Sequence, residues 1–267
     1  MTYIILLLVA AAEIPGPLGV CAHRGDVEHF PENTLPAFAS AVAKGAHMIE
    51  FDVYLTEDGV PVIIHDKTVD RTTDGTGSVT DYVFEDLREL DAGSWFDPKF
   101  AGTRIPTLRE TLVAIPRYIL CNVHLKSAPG LASKVAEIIK QEDRLGQCLL
   151  ACSMEQAEEA RSVAPQIKIC NMSVRRGTLA AYVDATHKLG AEFLQVHYKA
   201  QDNLAEKMRR ARTLGIVANY FYADEPAEIR RVADAGVNYI LTNDLDTCLS
   251  VLQHEYGVGP ARKPLHE

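Results

Sequence analysis

The sequence Leu35–Val53, LPAFASAVAKGAHMIEFDV, contains the unit that decides the fold. Its first half places Phe38 and Val42 at the spacing of one apolar helix face, and Gly45 is typical of a helix end. Its second half, Met48–Val53, is an apolar run of strand length. A helix that leads through a glycine into a buried strand indicates one unit of an α/β architecture.

The same alternation recurs along the chain. Strands are predicted at Leu18–Ala22, Met48–Val53, Ile119–Val123, Gln147–Ala151, Ile167–Met172, Glu192–Val196, Ile216–Ala218 and Tyr239–Leu241. Segments of helical spacing lie between them, and Thr34 and Ser153 are predicted helix N-caps. Strands that alternate with helices predict a parallel sheet, and eight units in about 250 residues fit a closed (β/α)8 TIM barrel. A doubly wound open sheet is the alternative, because a strand count from one sequence is easily wrong by one or two.

One segment, residues 66–106, interrupts this alternation. It is rich in Asp, Thr and Gly, which predicts loops around a short helix at Phe84–Leu90. Trp95 and Phe96 are predicted to anchor it as a packed cap. We expect a small insertion between an early strand and its helix. No domain boundary is predicted, so residues 1–267 are expected to form a single domain.

Composition argues against one class of substrate. The chain has 267 residues and a formal net charge of −9, with acidic and basic residues interspersed. No basic stripe could follow a nucleic-acid backbone, so polymeric nucleic acid is not an expected partner. An anionic small molecule would need local attraction from a few cations or a bound metal, because the overall field repels anions.

Two features bear on the compartment and point in opposite directions. The six cysteines show no paired metal-site spacing, and most lie in apolar runs, which predicts buried thiols and favours the cytoplasm. Residues 1–12 contain an apolar stretch and small residues like those of an export signal, so a periplasmic or exported protein is the alternative. That stretch is too short to span a bilayer, and no stable membrane insertion is expected. The oligomeric state is left open.

Polar motifs lie where the predicted strands end. The first strand leads into His23-Arg24-Gly25, and the loop beyond it carries Pro31-Glu32-Asn33-Thr34. A later apolar run leads into His65-Asp66. Active sites of TIM barrels lie at the carboxyl ends of the strands, so these residues are expected to meet there.

Two further strands add acids and bases to the same region. Glu50 and Asp52 alternate along one strand and therefore point to the same side, as do His124 and Lys126 on another. Two neighbouring carboxylates repel unless a cation joins them. The sequence therefore predicts a divalent metal ion at Glu50 and Asp52.

These motifs resemble, in order and spacing, those of the glycerophosphodiester phosphodiesterase family. The matching set is His23-Arg24-Gly25, Pro31–Thr34, Glu50–Val53, Thr56 with Asp58-Gly59, and His65-Asp66. The likeness spans nearly the whole chain, and residues 236–243 resemble the family's last strand. The ordered set is specific for the family but not for one substrate within it.

The resemblance implies an activity and a catalytic pair. A metal-dependent enzyme would hydrolyse a phosphodiester, most simply a glycerophosphodiester, to an alcohol and glycerol 3-phosphate. His23 and His65 would be general acid and base. In the family scheme a substrate hydroxyl attacks first, and water then opens the resulting cyclic phosphate. The expected partner is a small-molecule phosphodiester.

The resemblance also implies binding roles. Arg24 would bind phosphate oxygens with its guanidinium fork, and Lys126 would help to neutralise the phosphoryl group. Glu32 would support the loop of His23 and Arg24. Glu50 and Asp52 would be ligands of one divalent ion, magnesium or calcium in the family.

The chain departs from the family pattern at two places. His124 stands where the family commonly has a third acidic metal ligand, two residues before the lysine. This change removes a negative charge and favours zinc, manganese or cobalt, unless His124 only hydrogen-bonds beside the ion. Asn219-Tyr220 replaces a tryptophan of the family and is expected to alter the wall that receives the alcohol. The candidates for lining that wall are His197, Tyr198, Tyr220 and Tyr222.

Two other functions remain open at the level of sequence. Loss of the third acid is compatible with a non-hydrolytic phosphate-binding protein on an inherited scaffold. A related barrel lyase would cleave phospholipid head groups and stop at the cyclic phosphate.

Overall fold

A computed structural model describes residues 18–126, 128–173, 178–197 and 203–263. Within this part of the chain, nine strands form one sheet. They are β1 (Gly19–His23), β2 (Met48–Leu55), β3 (Pro61–Ile63), β4 (Leu120–Leu125), β5 (Cys148–Cys152), β6 (Lys168–Asn171), β7 (Phe193–His197), β8 (Val217–Phe221) and β9 (Tyr239–Thr242). All except β3 run parallel, and pairing of β1 with both β2 and β9 closes the barrel. The TIM-barrel prediction is confirmed, and closure excludes the open sheet.

Among the described residues, eight α-helices follow the barrel strands in turn, and one more lies in the insertion. The helices are α1 (Leu35–Lys44), α2 (Phe84–Glu89), α3 (Leu108–Ala114), α4 (Leu131–Gln141), α5 (Met154–Val163), α6 (Leu179–Lys188), α7 (Leu204–Thr213), α8 (Pro226–Asp234) and α9 (Leu245–Tyr256). Every predicted strand corresponds to one barrel strand. The ends shift by a few residues, most clearly where the strand predicted at Ile216–Ala218 extends to Phe221.

The predicted helix boundaries are only partly capped as expected. Gly45 ends α1 at a φ of 88°, in the left-handed region that a side chain would strain. Ser153 begins α5, and its hydroxyl accepts a hydrogen bond from the helix backbone. Thr34 begins α1, but its hydroxyl donates to the Pro31 carbonyl and caps nothing. Pro36, two residues beyond Thr34, explains part of this, because it lacks an N–H that a cap could bind.

The interior of the barrel is apolar at the amino end of the strands and polar at the carboxyl end. Met48, Leu149 and Phe193 belong to a buried cluster inside the barrel and lie at or near the amino ends of their strands. The larger core lies between the sheet and the surrounding helices. All six cysteines are buried, and no disulfide joins them, as the sequence predicted. The buried acids Glu50 and Asp52 lie toward the carboxyl-terminal mouth of the barrel.

The insertion packs around its own apolar cluster. Strand β3 pairs antiparallel with the end of β2, and the chain returns to the barrel at α3. The cluster consists of Val62, Ile64, Val69, Val79, Leu87, Ala92 and Ile105. The prediction that Trp95 anchors this cap is wrong, because the side chain is 38% exposed and its indole N–H donates to the Ala92 carbonyl. Aliphatic residues supply the buried surface instead.

No helix within the described ranges is both long enough and apolar enough to cross a bilayer. The signal-like residues 1–12 lie outside those ranges. A single domain over residues 1–267 stays a prediction.

Candidate active site

Strand register brings the predicted site residues together at the barrel mouth. His23 on β1 is paired with Glu50 on β2. Two residues further along β2, Asp52 is paired with His124 on β4. All four side chains point inward, because residues two apart on a strand share a face.

These side chains line one cavity of about 140 Å³. Its wall consists of His23, Arg24, Glu50, Asp52, His65, His124, Gln195, Phe221 and Leu241. The two remaining predicted residues touch this wall. Lys126 Nζ lies 2.8 Å from Asp52 Oδ1, and Glu32 Oε1 accepts a hydrogen bond of 2.9 Å from Arg24 Nη1. The eight residues predicted to act in catalysis, phosphate binding or metal binding therefore form one cluster at the barrel mouth.

Asp52 is the most enclosed charge of the site, with a fully buried side chain. Its Oδ2 accepts a 3.0 Å hydrogen bond from Asn33 and lies 3.3 Å from Arg24 Nε. Its Oδ1 faces His124 and Lys126. Burial alone would raise the pKa of Asp52. The hydrogen bond to His124 and the charges of Lys126 and Arg24 outweigh burial and hold that pKa well below its usual range.

His124 lies between the two acids. Its Nδ1 is 3.0 Å from Asp52 Oδ1 and 3.5 Å from Glu50 Oε1. Burial opposes the charged ring, but the hydrogen bonds to these two acids raise the pKa of His124 above its ordinary value. One donor atom from each of the three residues lies within 4.8 Å of the others, so the group could hold a metal ion.

The loop after β1 has a strained backbone where it carries Arg24. Arg24 has a φ of 57°, a left-handed conformation that costs roughly 1 kcal/mol or more. Its N–H donates to the Glu50 carbonyl at 2.9 Å, and its carbonyl accepts from the Asn33 N–H at 3.0 Å. Gly25 follows with a φ of 92°, and a Cβ there would lie 2.7 Å from Ala37 Cβ. Strain held at a cavity residue is typical of a functional site.

A chain of ion pairs and hydrogen bonds joins Arg24 to His65. Glu32 bridges Arg24 and Arg71, with contacts of 2.9 Å to Arg24 and of 2.9 and 2.8 Å to Arg71. Arg71 Nε donates to Asp66 Oδ2 at 2.6 Å. Asp66 Oδ1 lies 2.6 Å from His65 Nδ1. Arg71, a residue of the insertion, therefore joins the acid that pairs with Arg24 to the acid that contacts His65.

The same contacts change the pKa values of the charged groups in this network. Hydrogen bonding by Arg71, with a further contribution from His65, lowers the pKa of Asp66 to about 2. Burial would raise the pKa of Glu32, but Arg71 and Arg24 outweigh it and lower that pKa. Glu32 and Asp66 in turn raise the pKa of Arg71. All three groups stay charged at neutral pH.

His23 is held by residues that the sequence did not single out. Its Nδ1 lies 2.7 Å from Asn243 Oδ1, and its ring stands edge-on to Phe221 at 5.3 Å between centroids. Arg71 and Asn243 were missed as site residues, whereas Asn33 was named in the Pro31–Thr34 motif without a role of its own. Asn243 follows a strand whose end was predicted, so the strand-end rule could have found it. Arg71 lies in a loop and had no such signal.

The predicted alcohol wall is partly wrong. Tyr220 is fully buried and its hydroxyl donates to Glu228 at 2.8 Å, which places it on the helix side of β8. Phe221 lines the cavity instead, because neighbours on a strand face opposite ways. His197 stands 6.0 Å from the Phe221 ring, and Tyr222 packs against that ring with 38% of its surface exposed. Tyr198 lies outside the described residues.

Fold and site together define a class of protein. Two carboxylates, three histidines and an arginine line one small cavity at the carboxyl mouth of a (β/α)8 barrel, and a lysine pairs with one of the carboxylates. Such an arrangement is typical of an enzyme site for a small anionic substrate.

The comparisons with known proteins narrow that class. The model of the Glycerophosphoryl diester phosphodiesterase family matches residues 23–247. The glycerophosphodiester phosphodiesterase of Caldanaerobacter subterraneus is 35% identical over 242 residues, which cover 88% of this chain and 97% of the relative. The crystal structure of an Agrobacterium tumefaciens glycerophosphodiester phosphodiesterase has a TM-score of 0.73 and 28% identity, over 86% of this chain and 98% of that one. The structure of an Oleispira antarctica phosphodiesterase in complex with the product sn-glycerol-3-phosphate has a TM-score of 0.78 and 26% identity. The match covers 88% of this chain and 96% of that one.

The chain belongs to the glycerophosphodiester phosphodiesterase family, as its motifs indicated. It is therefore a phosphoric diester hydrolase by family, and the resemblance stated from the sequence is confirmed.

The ion pair between Arg71 and Asp66 gives a prediction about the acid titration. Arg71→Ala should raise the pKa of Asp66 from about 2 toward its ordinary 3.8, measured by NMR of the carboxyl carbon during a pH titration. In the wild type this pair stabilises the fold above the ordinary pKa, and the contribution is lost as the pH falls through the lowered value. Arg88→Ala is the control, because Arg88 also belongs to the insertion but pairs with Glu110. An Asp66 pKa that stays near 2 in Arg71→Ala would contradict the assignment.

Proposed function

We propose that this protein hydrolyses glycerophosphodiesters to an alcohol and glycerol 3-phosphate, using His23 and His65 as acid–base pair and one divalent metal ion. The observation that carries the proposal is the cavity of about 140 Å³ that both histidines, Arg24 and the Glu50/Asp52 pair line together. Its volume suits a small molecule. The product bound in the Oleispira antarctica relative supports a glycerol phosphate as one part of the substrate.

The donor set at the cavity fits a divalent ion. Glu50 and Asp52 are buried acids that converge with the His124 imidazole within 4.8 Å. Buried acids this close together favour an added cation, and two carboxylates with one imidazole suit zinc, manganese or cobalt as well as magnesium. When bound there, the ion would supply Lewis-acid polarisation of a phosphoryl oxygen.

The cations of the site supply the attraction that an anion needs in a chain of net charge −9. Arg24 and Lys126 both approach Asp52, Arg24 from the loop after β1 and Lys126 from the end of β4. The guanidinium fork of Arg24 suits two oxygens of one phosphate. Glu32 and Asp52 hold that fork from two sides, so its orientation is set before substrate binds.

Hydrogen bonds orient both histidines for proton transfer. His65 uses Nδ1 toward Asp66, and His23 uses Nδ1 toward Asn243. Each ring keeps Nε2 for the reacting oxygens, since an imidazole with one nitrogen engaged acts through the other. One histidine takes the proton of the attacking hydroxyl, and the other gives a proton to the oxygen of the departing alcohol.

The test of this function is a cleavage assay after exhaustive chelation, with single divalent metals then restored. Glycerophosphodiesters and a generic aryl phosphodiester are the substrates, and release of the phosphate monoester is measured. We expect no activity without metal and monoester release with it. Full activity after chelation would overturn metal dependence. A cyclic phosphate as the end product would indicate a lyase, and phosphate binding without turnover would indicate a binding protein.

Removing either histidine should abolish efficient turnover. His23→Ala and His65→Ala should each lower kcat by roughly 10²-fold or more, because a positioned acid or base contributes about that much. His254→Ala is the matched control, since His254 is exposed on α9 and should leave kcat unchanged. Near wild-type kcat for either cavity variant, on a substrate with a poor leaving group, would show that the acid–base assignment is wrong.

His124 should set the metal preference. His124→Glu restores a third carboxylate and should strengthen magnesium or calcium binding relative to zinc or manganese, because harder ions prefer oxygen ligands. Calorimetric titrations of metal-free protein measure the affinity order, and the assay measures the activity ranking in the same metals. The same affinity order and the same activity ranking in wild type and variant would show that His124 is not a metal ligand.

A further inference from the structure

The side-chain amide of Asn243 lies between His23 and Asp224, an acid that has no role in the proposed function. Asn243 follows β9, and its Oδ1 is 2.7 Å from His23 Nδ1. On the opposite side, its Nδ2 donates to Asp224 Oδ2 at 2.9 Å. Asp224 follows β8, so three neighbouring strand ends meet in this contact.

Two further hydrogen bonds hold the Asp224 carboxylate in place. Its Oδ1 accepts hydrogen bonds of 2.8 Å from the Asn243 backbone N–H and from the Thr242 hydroxyl. The loop after β8 is thereby fastened to the end of β9. These bonds keep Asp224 Oδ2 within hydrogen-bond distance of the Asn243 side chain.

The chemistry of these groups allows one orientation of the amide. A carboxylate only accepts hydrogen bonds, so the group of Asn243 that faces Asp224 has to be the NH₂. A flipped amide would set its carbonyl oxygen against the carboxylate. The amide oxygen must therefore face His23, and because this oxygen is also only an acceptor, His23 Nδ1 must carry a proton.

We propose that Asn243 and Asp224 are positioning residues that fix His23 as the Nδ1–H tautomer, with Nε2 on the side of the cavity where it lies 3.9 Å from Glu50 Oε2. The consequence for catalysis rests on the proposed function, whereas the tautomer itself does not. Asp224 orients the amide, the amide selects the tautomer, and the tautomer decides which nitrogen can exchange a proton with substrate. The edge-on contact with Phe221 holds the ring plane.

A reciprocal exchange of the two side chains separates this role from general packing. Asn243→Asp places two carboxylates face to face, and their repulsion should break the contacts of residue 243 with Asp224 and His23. Adding Asp224→Asn gives the introduced carboxylate an amide donor again and should restore the arrangement, with an acceptor oxygen still facing His23. Asn243→Ala removes the acceptor altogether. Asp244→Asn is the matched control, because Asp244 caps α9 and asparagine caps a helix equally well.

The tautomer is measured by long-range ¹H–¹⁵N NMR of the histidine rings in the full chain. Spectra are recorded above the pH at which the ring loses its charge, with Mg²⁺ and after chelation, and His23 is assigned from the His23→Gln spectrum. We expect a protonated Nδ1 in the wild type, in Asp244→Asn and in the double variant, and a mixture of tautomers in Asn243→Ala. A wild-type ring protonated at Nε2 would overturn the proposal, whether or not the protein has activity.

The kinetic test uses the same variants. Asn243→Ala and Asn243→Asp should lower kcat by about 10-fold or more, a part of the loss expected without the histidine, with little change in KM. The double variant should recover most of that loss. A double variant no more active than Asn243→Asp alone would mean a packing role and would overturn the proposal. Absence of diester turnover by the wild type, with Nδ1 protonated, would instead refute the proposed function alone.

Discussion

The fully buried carboxylate of Asp52 is the constraint on which the rest of the site depends. Burial of an unpaired ion costs several kcal/mol, so the surrounding structure has to supply partners. Asn33 and Arg24 reach Asp52 from the loop after β1, and His124 and Lys126 reach it from β4. The strained backbone of Arg24 is maintained by the same assembly, through its hydrogen bonds to Glu50 and Asn33. The acid that would bind a metal thus also orders the groups that would bind phosphate.

From Arg24 the charge network continues outward into the insertion. Glu32 pairs with both Arg24 and Arg71, and Arg71 pairs with Asp66, which holds His65. Glu32 lies between Arg24 and Arg71, and Asp66 lies between Arg71 and His65, so neither acid relies on a single contact. The insertion has an apolar cluster of its own, and it reaches the site through Asp66 beside His65 and through Arg71. Phosphate binding and proton transfer are therefore expected to respond together when the insertion is perturbed.

Most of the fold and much of the site could be predicted because they depend on local periodicity. Apolar runs separated by helical spacing gave all eight barrel strands, and period-2 alternation placed Glu50 and Asp52 on one face. The strand at Ile216–Ala218 was predicted too short, which left Tyr220 assigned to the cavity although Phe221 lines it. The contact between His23 and Asn243 joins residues 220 positions apart, and no local pattern encodes it. The position of Arg71 depends on the conformation of a loop, which composition alone does not determine.

The measurement that tests this account most directly is metal binding by Asp52→Asn. The substitution keeps the shape of the side chain and removes its charge, so the barrel should remain folded while the ion loses a ligand. Calorimetric titration of the chelator-treated wild type with Mn²⁺ should show one ion bound per chain. The variant should bind at least about 10-fold more weakly, since loss of even an indirect metal partner costs that much. A wild type that binds no divalent ion, or equal affinity in both proteins, would contradict the central role of Asp52.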